Sequence, residues 1–524
     1  MGNGGCVPPN REEPLRAIQT SELTPDSIRT ETEKLHVYNG LDCCVTLEVF
    51  NEIEPQLDEL TSATYAFSRA LQAPVLEMNM RGILVDQVSR AEVLHSYRKD
   101  LVQLEAQFNR IILEVFDRHI NWRSNKDLME IFYTTMQIPP VRKRNPKGQY
   151  IPTVDRAALE KLDAYFYARP LISHLLLMRD IGKKVGVLET DIDADGRMRT
   201  SYNIAGTVTG RFSSSLSEFG FGTNLQNIEQ RLRSVFVADP GYKLAYIDGE
   251  QAESRLVGAI CWNLFDDGRY LDACESGDLH TTVTKMAWEN LPWVDDLKAC
   301  KAIAEQPAYR QLSYRDLAKR LGHGSNYNGK PPTMAKHAKL DVNIVKEFQY
   351  KYFTAFPGIK RWHDHTAETL IRTGEIISLM NRKRIFLGRL NDDATLREAI
   401  AYNPQSALSD IINQGLLNVW RAGFCQPLLQ IHDAIVVQYP EDREEEIIPQ
   451  LISSFMVPIE LNHGRILRIP SEVKVGWNWA SVEFGADGSV IGNPDGLVKY
   501  NPSKGDSRKR SRHPSASLLD RRIY

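Results

Sequence analysis

The pattern of apolar and polar positions changes along the chain and predicts a mixture of helices and strands. Residues 87 to about 188 repeat apolar side chains every three to four positions, which predicts long amphipathic helices. The chain after Arg255 again predicts mostly helix, to about Thr373. Short apolar runs bounded by turn residues lie between and after these regions, and they predict strands. The combination predicts an α+β fold.

One of the short apolar runs ends at a carboxylate. Residues 243–247 predict a buried strand, Asp248 follows it, and Gly249 opens a turn before a helix that begins near Gln251. A carboxylate at the carboxyl end of a strand can hold a cation at a cleft instead of lying in the core. Asp248 is therefore the first candidate site residue.

A second carboxylate is presented in a similar way. Residues 428–437 contain two apolar runs that flank His432 and Asp433, which predicts a hairpin with this polar pair at its tip. Two acids from separate strands that can share Mg²⁺ ions form the core of a two-metal phosphoryl-transfer site. Asp248 and Asp433 are the predicted pair.

A third pattern is a stripe of residues spaced four apart. Its members are Arg315, Lys319, His323 and Tyr327. On a helix they share one face, where two cations can grip a triphosphate and a ring can stack on a base. Gly322 and Gly324 are poor helix formers, which predicts that something large approaches the backbone there. The alternative is a solvated charged face.

Other polar segments carry weaker signals. His280 stands at a predicted helix start, where an imidazole can meet a phosphate. Residues 209–214 and 224–228 place Arg211 and Gln226 among small and polar residues, which suits approach to a duplex, although spacing alone favours an ordinary loop. The basic segment 141–152 leaves a solvated turn and a phosphate contact equally open.

The composition of the chain limits the classes of protein to which it can belong. A length of 524 residues predicts several subdomains, and 42% hydrophobic with 25% charged residues is typical of soluble globular proteins. The net charge of −3 does not indicate nucleic-acid binding, but a basic cleft remains compatible with it. Seven cysteines without a Cys-x-x-Cys pair predict reduced thiols. The sequence shows neither a bilayer-spanning run nor a signal peptide, so we expect an intracellular protein without a membrane partner.

The two ends of the chain differ from the middle. We expect residues 1–30 to form a loose lead-in and residues 485–524 a disordered basic tail, for which DNA attraction or a nuclear signal is the alternative. Tyr38 and Asp42 lie four apart on a predicted helix, as in one component of 3′–5′ exonuclease sites. The Asp-x-Glu strand that such a site also needs is missing from residues 1–37. The sequence therefore predicts a surface helix or a relic, without proofreading.

Ten segments in a fixed order resemble family A DNA polymerases of the bacterial DNA polymerase I and phage replicative type. They are EMNMRGILVD, TGRFSS, NLQNI, DGEQAESR, DLHTTV, the stripe from Arg315 to Tyr327, FPGIKRW, REAIAYNPQSALSDII, QIHDA and VKVGWNW. The resemblance implies a right-hand polymerase fold. It assigns 1–60 to a lead-in with an exonuclease remnant, 61–86 to palm entry, 87–200 to thumb, 201–270 to palm, 271–375 to fingers, 376–484 to palm and 485–524 to the tail.

The resemblance also implies an activity, a template-directed DNA polymerase that adds deoxynucleotides to a primer 3′ end in replication or repair. Asp248, the Gly249 carbonyl and Asp433 would hold two Mg²⁺ ions, with Mn²⁺ as a substitute. The implied nucleotide-binding residues are Gln251, Glu253, His280, Arg315, Lys319, His323 and Tyr327. Among them Lys319 would donate the proton to the departing pyrophosphate, and Glu253 would exclude a ribose 2′-hydroxyl.

DNA contacts and partners follow from the same resemblance. Arg211, Gln226, Arg397 and Gln405 would meet minor-groove acceptors common to all base pairs, and His432 would touch the primer terminus. The implied partners are primer-template DNA and dNTPs, with a processivity factor or a helicase as a further candidate, and a monomer is expected. The expected location is the cytoplasm of a bacterial or phage-infected cell, with an organelle left open.

Three residues depart from the family pattern. Ala434 stands where Glu is usual after His-Asp, and Asn328 stands where Gly is usual after Tyr327. His323 replaces the usual Phe or Tyr, so we expect it to stack over the incoming sugar and to alter discrimination against dideoxynucleotides.

Two other functions fit these residues less well than a polymerase does. A catalytically silent DNA-binding protein on this fold would not need both aspartates, Arg315 and Lys319. A two-metal nuclease would have no use for the cationic helix or for Glu253. The sequence therefore favours the polymerase.

Overall fold

The computed structural model describes residues 30–217, 220–309, 312–485, 488–503, 505–506 and 508–510. The predicted lead-in over residues 1–30 lies, apart from Thr30, outside them. The chain divides into two compact units, residues 1–65 and residues 66–524.

Helices make up most of the regular structure in the described residues. In chain order they are α1 (Glu31–Ile53), α2 (Glu59–Ala70), α3 (Gln72–Arg81), α4 (Gln87–Phe116), α5 (Asn125–Met129), α6 (Arg156–Leu162), α7 (Arg169–Glu189), α8 (Ala252–Phe265), α9 (Arg269–Glu275), α10 (Leu279–Ala287), α11 (Leu297–Ala304), α12 (Tyr314–Asn326), α13 (Pro331–Ala338), α14 (Val342–Ala355), α15 (Pro357–Thr373), α16 (Asp393–Ala422) and α17 (Glu444–Phe455).

The strands are short, and most belong to two-stranded ladders. They are β1 (Ile83–Val85), β2 (Arg142–Arg144), β3 (Tyr150–Pro152), β4 (Arg197–Met198), β5 (Ser201–Asn203), β6 (Ser213–Ser215), β7 (Phe236–Val237), β8 (Tyr242–Gly249), β9 (Pro307–Tyr309), β10 (Leu312–Ser313), β11 (Glu375–Ile377), β12 (Lys383–Ile385), β13 (Gln426–Ile431), β14 (Ala434–Pro440), β15 (Ile459–Glu460), β16 (Ile466–Leu467), β17 (Ser471–Gly476), β18 (Glu483–Phe484), β19 (Val490–Gly492) and β20 (Val498–Lys499).

The first unit contains α1, which carries Tyr38 and Asp42. Thr30 caps this helix through a reciprocal pair of hydrogen bonds with Glu33. Tyr38 is 63% exposed, and Asp42 is exposed too. The predicted helix is therefore present, and its two site-like residues face solvent.

The largest sheet organises the second unit. Its order is β13-β14-β8-β17-β20, and every neighbouring pair is antiparallel. The central strand β8 is apolar because it lies between β14 and β17 and packs its inner residues, such as Ala245 and Ile247, into the core. This burial fixes the register and brings the carboxyl end of β8 beside the tip of the β13–β14 hairpin.

Helical layers surround this sheet with separate cores. One core joins α4 to α7 around residues such as Phe108 and Leu175. A second joins α8 to α10, α12, α14 and α15 around Tyr352 and Trp362. The amphipathic spacing seen in the sequence accounts for both, since each helix buries one stripe of apolar side chains.

The basic segment 141–152 forms a β-hairpin. Strand β2 pairs with β3 so that Arg144 lies opposite Tyr150, and all residues of both strands are exposed. The solvated turn and the phosphate contact both remain open for this hairpin.

The predicted disorder of residues 485–524 is wrong for the part that the structure describes. Strand β20 extends the large sheet by pairing with β17, and Tyr500 is buried. Asp506 lies 2.9 Å from Nζ of the buried Lys243, and Arg508 donates a hydrogen bond to the Val475 carbonyl. The polar composition concealed these contacts, because a short edge strand and a few ion pairs need little apolar sequence.

Candidate active site

A cavity of about 660 Å³ opens where β8 ends. Its walls come from β8, α8, α10, α12, β17 and the β13–β14 tip. The predicted site residues that line it are Asp248, Gly249, Gln251, Glu253, His280, Lys319, His323 and Asp433. The structure thus gathers residues from widely separated segments into one cleft.

The predicted hairpin around Asp433 is confirmed. Strands β13 and β14 pair through Ile431 and Ala434, which leaves His432 and Asp433 as the two-residue turn. His432 adopts a left-handed backbone with φ 53°, as such tight turns require, and its side chain is exposed. Ala434 is also the register partner of Asp248 on β8, so the hairpin tip places the second acid beside the first.

The two aspartates influence each other electrostatically. Burial, and then the negative charge of Asp433, raise the pKa of Asp248 to about 6. Such a carboxylate pair favours a cation, and carboxylate and carbonyl oxygens are the donors that Mg²⁺ prefers. The donor set of Asp248, Asp433 and the Gly249 carbonyl therefore fits a hard divalent ion. Within the described ranges, no group of three or more His, Cys, Asp or Glu side chains comes together as a metal site.

Arg211 bridges two acids of the cleft. Its Nη2 lies 2.7 Å from Oδ1 and 3.0 Å from Oδ2 of Asp433, and 3.3 Å from Oε1 of Glu253. The sequence led us to expect Arg211 on DNA, whereas its guanidinium neutralises this acid pair. Local sequence could not reveal the contact, because Asp433 lies on a distant hairpin.

Three members of the stripe, Arg315, Lys319 and His323, lie on helix α12, and Tyr327 is its C-cap residue. Ser313 begins α12 with a capping box that includes Asp316, and Tyr327 follows its last residue. Lys319 and His323 are exposed toward the cavity. Two of the four stripe residues therefore line the cavity at the carboxyl end of β8, while Arg315 and Tyr327 are not in its lining.

Arg315 is held by a carboxylate that sequence reasoning did not select. Its Nε and Nη2 donate to the two oxygens of Asp278 at 2.7 and 2.9 Å. Burial alone would raise the pKa of Asp278, but the hydrogen bonds from Arg315 and Thr281 lower it to about 2. The sequence feature that could have identified Asp278 was its position just before α10, which it caps by accepting a hydrogen bond from the His280 amide.

His280 follows this cap at the start of α10. Burial, and then the positive charge of Arg315, lower the pKa of His280 to about 4, so the ring is neutral near pH 7. The imidazole of His280 is neutral and lies among cations. A phosphate that bound beside it would stabilise its protonated form.

Glu253 on α8 lies close to residues from two sides of the cleft. His323 Nδ1 lies 3.6 Å from its Oε2, while Arg211 contacts its Oε1. Burial, and then the Glu253 carboxylate, raise the pKa of Tyr327 well above its usual value. The rings of His323 and Tyr327 meet edge to face with centroids 4.9 Å apart.

Gln251 lies at the turn between β8 and α8. It adopts a left-handed backbone with φ 52°, and its Nε2 donates to the Gly277 carbonyl at 3.4 Å. Its buried Oε1 has no hydrogen-bond partner among the described residues. This unpaired acceptor belongs to a residue that lines the cavity.

The other predicted DNA-binding residues do not join the cavity. Gln226 is buried and donates to the side chain of Gln430 and to the Phe212 carbonyl. Arg397 forms an ion pair with Asp393 one turn earlier on α16. Gln405 is half-buried on the same helix. These three side chains are therefore outside the lining of the cleft.

The two helix glycines have an internal explanation. A Cβ at Gly324 would come within 2.9 Å of the Met334 side chain, and one at Gly322 would touch Tyr352 at 3.5 Å. The prediction that something large approaches the backbone is confirmed at Gly324, where the approaching group is the side chain of Met334.

Glu472 is a cleft residue that sequence reasoning missed. It is the register partner of Asp248 on β17, so both side chains lie on the same face of the sheet. Lys499 of β20 holds it at 2.8 Å, and Lys474 lies 3.4 Å away. The polar positions 472 and 474 within an otherwise apolar strand were the signal that could have identified it.

Comparisons with known proteins agree on one family. A sequence model of DNA polymerase family A matches residues 91–481. DNA polymerase I of Treponema pallidum is 25% identical over 460 residues, which cover 84% of this chain and 42% of that protein. The thermostable DNA polymerase I of Thermus filiformis is 26% identical over 451 residues, or 82% of this chain and 49% of that protein. The chain thus spans about half the length of the curated relatives it matches.

A solved structure supports the fold. The POL domain of Pol1 from M. smegmatis, in complex with DNA primer-template and dNTP, superimposes with a TM-score of 0.61. The identity is 24%, and the match covers 78% of this chain and 69% of that one. Together with the antiparallel sheet and its helical layers, this likeness confirms the predicted α+β right-hand fold. Within the described part of the chain, no helix has both the length and the apolar surface needed to cross a bilayer.

Proposed function

The chain belongs to DNA polymerase family A, and from this premise we propose that it extends a primer 3′ end with deoxynucleotides on a DNA template. One observation carries the proposal: Asp248 and Asp433, far apart in sequence, meet beside the cationic face of α12 in a single cavity. A phosphoryl-transfer site needs both features, because the acids organise divalent ions and the cations bind the triphosphate.

The metal-holding residues are Asp248, Asp433 and the carbonyl of Gly249. When bound there, two Mg²⁺ ions would lower the pKa of the primer hydroxyl and stabilise the charge of the transition state. Arg211 contacts the Asp433 carboxylate, so its guanidinium must leave that carboxylate before the site is loaded. Minor-groove acceptors of the primer-template would receive the released guanidinium.

The triphosphate would bind to Arg315, Lys319 and His280. Arg315 is prepositioned by Asp278, and its planar guanidinium can exchange that carboxylate for a phosphate. Lys319 is exposed in the cavity and can donate a proton to the departing pyrophosphate. His280 supplies a further hydrogen bond to phosphate.

The sugar and base of the nucleotide would lie against Glu253, His323 and Tyr327. Glu253 would exclude a ribose 2′-hydroxyl, with Gln251 beside it, and Tyr327 would lie near the template base. Stacking of His323 over the sugar would alter discrimination against dideoxynucleotides. Unchanged dideoxynucleotide incorporation in His323→Phe would contradict that stacking.

The duplex would lie along Arg211, Gln226, Arg397, Gln405 and His432. Gln226 and Arg397 have internal partners, so their use on DNA requires an exchange of hydrogen bonds. His432 is exposed at the hairpin tip and would touch the primer terminus.

Residues 1–65 would not supply proofreading. Tyr38 and Asp42 face solvent on α1, and residues 1–37 contain no Asp-x-Glu pair. Degradation of a 3′ single strand that disappears in Asp42→Ala would refute this part of the proposal.

Primer extension tests the proposed function directly. The protein should lengthen a labelled primer on a DNA template in the presence of Mg²⁺ and dNTPs. A two-metal nuclease would shorten the primer, and a silent DNA-binding protein would leave its length unchanged.

A further inference from the structure

The carboxylate of Glu253 is contacted from both sides of the cleft. Arg211 reaches Oε1 at 3.3 Å, and His323 Nδ1 reaches Oε2 at 3.6 Å from the facing helix α12. Each oxygen of the carboxylate thus has one neighbouring group, Arg211 on the side of Asp433 and His323 on α12.

The two residues that contact Glu253 differ in their other partners. Arg211 shares its guanidinium with Asp433, so its hold on Glu253 changes when Asp433 takes other partners. His323 has no such second acid among its described ion pairs, and its side chain is 57% exposed toward the cavity. His323 is therefore the contact that can persist while the centre is loaded.

The surroundings make the orientation of Glu253 dependent on this contact. The negative charge of Glu253 acts on the buried hydroxyl of Tyr327, but this hydroxyl has no hydrogen-bond partner at normal distance among the described residues. The edge-to-face packing of Tyr327 on His323 instead fixes the imidazole. A phenyl ring at position 323 could pack in the same way but would present no polar atom to Oε2.

We propose that His323 is a positioning residue, which fixes the Glu253 carboxylate across the sugar position and thereby strengthens discrimination against ribonucleotides. This inference rests on the proposed polymerase function. It adds that selection of the sugar depends on the 3.6 Å contact between the imidazole of His323 on α12 and the carboxylate of Glu253 on α8.

The test compares kcat/KM for dNTP with kcat/KM for the matching rNTP in single-nucleotide extension. His323→Phe keeps a ring and removes the donor, and we expect the dNTP-to-rNTP ratio to fall about two- to fivefold, the range of a partly exposed ion pair. His323→Asn keeps a donor near the position of Nδ1, and it should recover most of the ratio. His337→Phe, on the exposed face of α13, is the matched control and should leave the ratio unchanged.

A double mutant separates this role from general disturbance of the site. In a Glu253→Ala background, His323→Phe should cause no further fall in the ratio, because the carboxylate it positions is gone. An unchanged ratio in His323→Phe, or an equal fall in the Glu253→Ala background, would overturn the proposal. Extension of a primer by the wild-type protein with dNTPs alone tests the polymerase function separately. Failure of that extension would refute the polymerase function, whereas normal extension with an unchanged ratio in His323→Phe would refute only the role of His323.

Discussion

The guanidinium of Arg211 lies 2.7 Å from Oδ1 of Asp433, a residue that lines the same cleft as Asp248. This ion pair supplies a positive charge where the acids would otherwise repel each other. A divalent ion bound by Asp433, as proposed above, would have to compete with Arg211 for the same carboxylate.

Removal of Arg211 should therefore strengthen metal binding. In Arg211→Ala, we expect the Mn²⁺ dissociation constant without DNA to fall about fivefold, since a competing ion pair of roughly 1 kcal/mol is lost. Electron paramagnetic resonance of free Mn²⁺ measures this directly. Arg197→Ala, which removes an ion pair with Asp239 at 2.6 Å, is the control. Unchanged or weaker Mn²⁺ binding would show that Arg211 does not compete.

Asp433→Asn should abolish extension without preventing DNA binding. The amide cannot supply the anionic oxygen that the divalent ions need, so we expect a loss of at least about 1,000-fold in primer extension. The dissociation constant for primer-template, measured by fluorescence anisotropy, should change less than about threefold. Asp442→Asn, on an exposed turn, should extend normally. Full activity in Asp433→Asn would refute the assignment.

Arg315→Ala should weaken nucleotide use. A charge-assisted contact to the triphosphate contributes roughly 1.5–3 kcal/mol, so we expect kcat/KM for dNTP to fall about 10- to 100-fold. Steady-state single-nucleotide extension gives the value. Lys285→Ala changes a cation on α10 outside the lining of the cavity, and it should have little effect. Equal losses in the two variants would indicate only a general effect of charge.

Stability should fall in mild acid because of His363. Burial lowers the pKa of this histidine from its ordinary 6.5 to about 4, and its Nε2 contacts the Asn326 carbonyl at 2.7 Å. Between these pH values the unfolded chain binds a proton that the folded chain does not, so the free energy of unfolding falls as pH falls from 6.5 to 4. The slope for one such group is about 1.4 kcal/mol per pH unit.

The variant His363→Gln isolates this contribution, because the amide keeps a donor and does not titrate. Urea unfolding followed between pH 4 and 7 should show a shallower pH dependence in the variant than in the wild type. His280 and Asp248 titrate in both proteins, so their effects cancel in the comparison. Identical pH dependence would contradict the prediction.

Lys243→Met should destabilise the protein strongly. Lys243 is buried and lies 2.6 Å from Glu444 and 2.9 Å from Asp506. Its removal leaves the buried Glu444 carboxylate without its cation, while Asp506 keeps its ion pair with Arg508 at 2.7 Å. We expect a loss of about 3–5 kcal/mol in the free energy of unfolding, measured with urea. Lys499→Met breaks an exposed pair with Glu472 and should cost less than about 1 kcal/mol. Similar losses of unfolding free energy in both variants would show that burial of the ion pair does not determine the size of the loss.

Local patterns predicted much of the site. The apolar runs around His432 and Asp433 identified the hairpin, and the four-residue spacing identified the face of α12. Each of these features is determined by residues close together in the chain, which is why periodicity and turn chemistry were sufficient. The same local reasoning predicted a close neighbour at Gly324 but could not identify it, because that neighbour, Met334, belongs to another helix.

The sequence by itself therefore determined which acids, cations and rings are presented, and on what kind of element. Only the tertiary structure decided their partners: Arg211 with Asp433, Arg315 with Asp278, and Glu472 beside Asp248. It also decided that a polar carboxyl-terminal segment adds strand β20 to the large sheet. The physical reason is that ion pairs and strand register depend on which distant segments of the chain become neighbours. Burial of the whole core determines those neighbours.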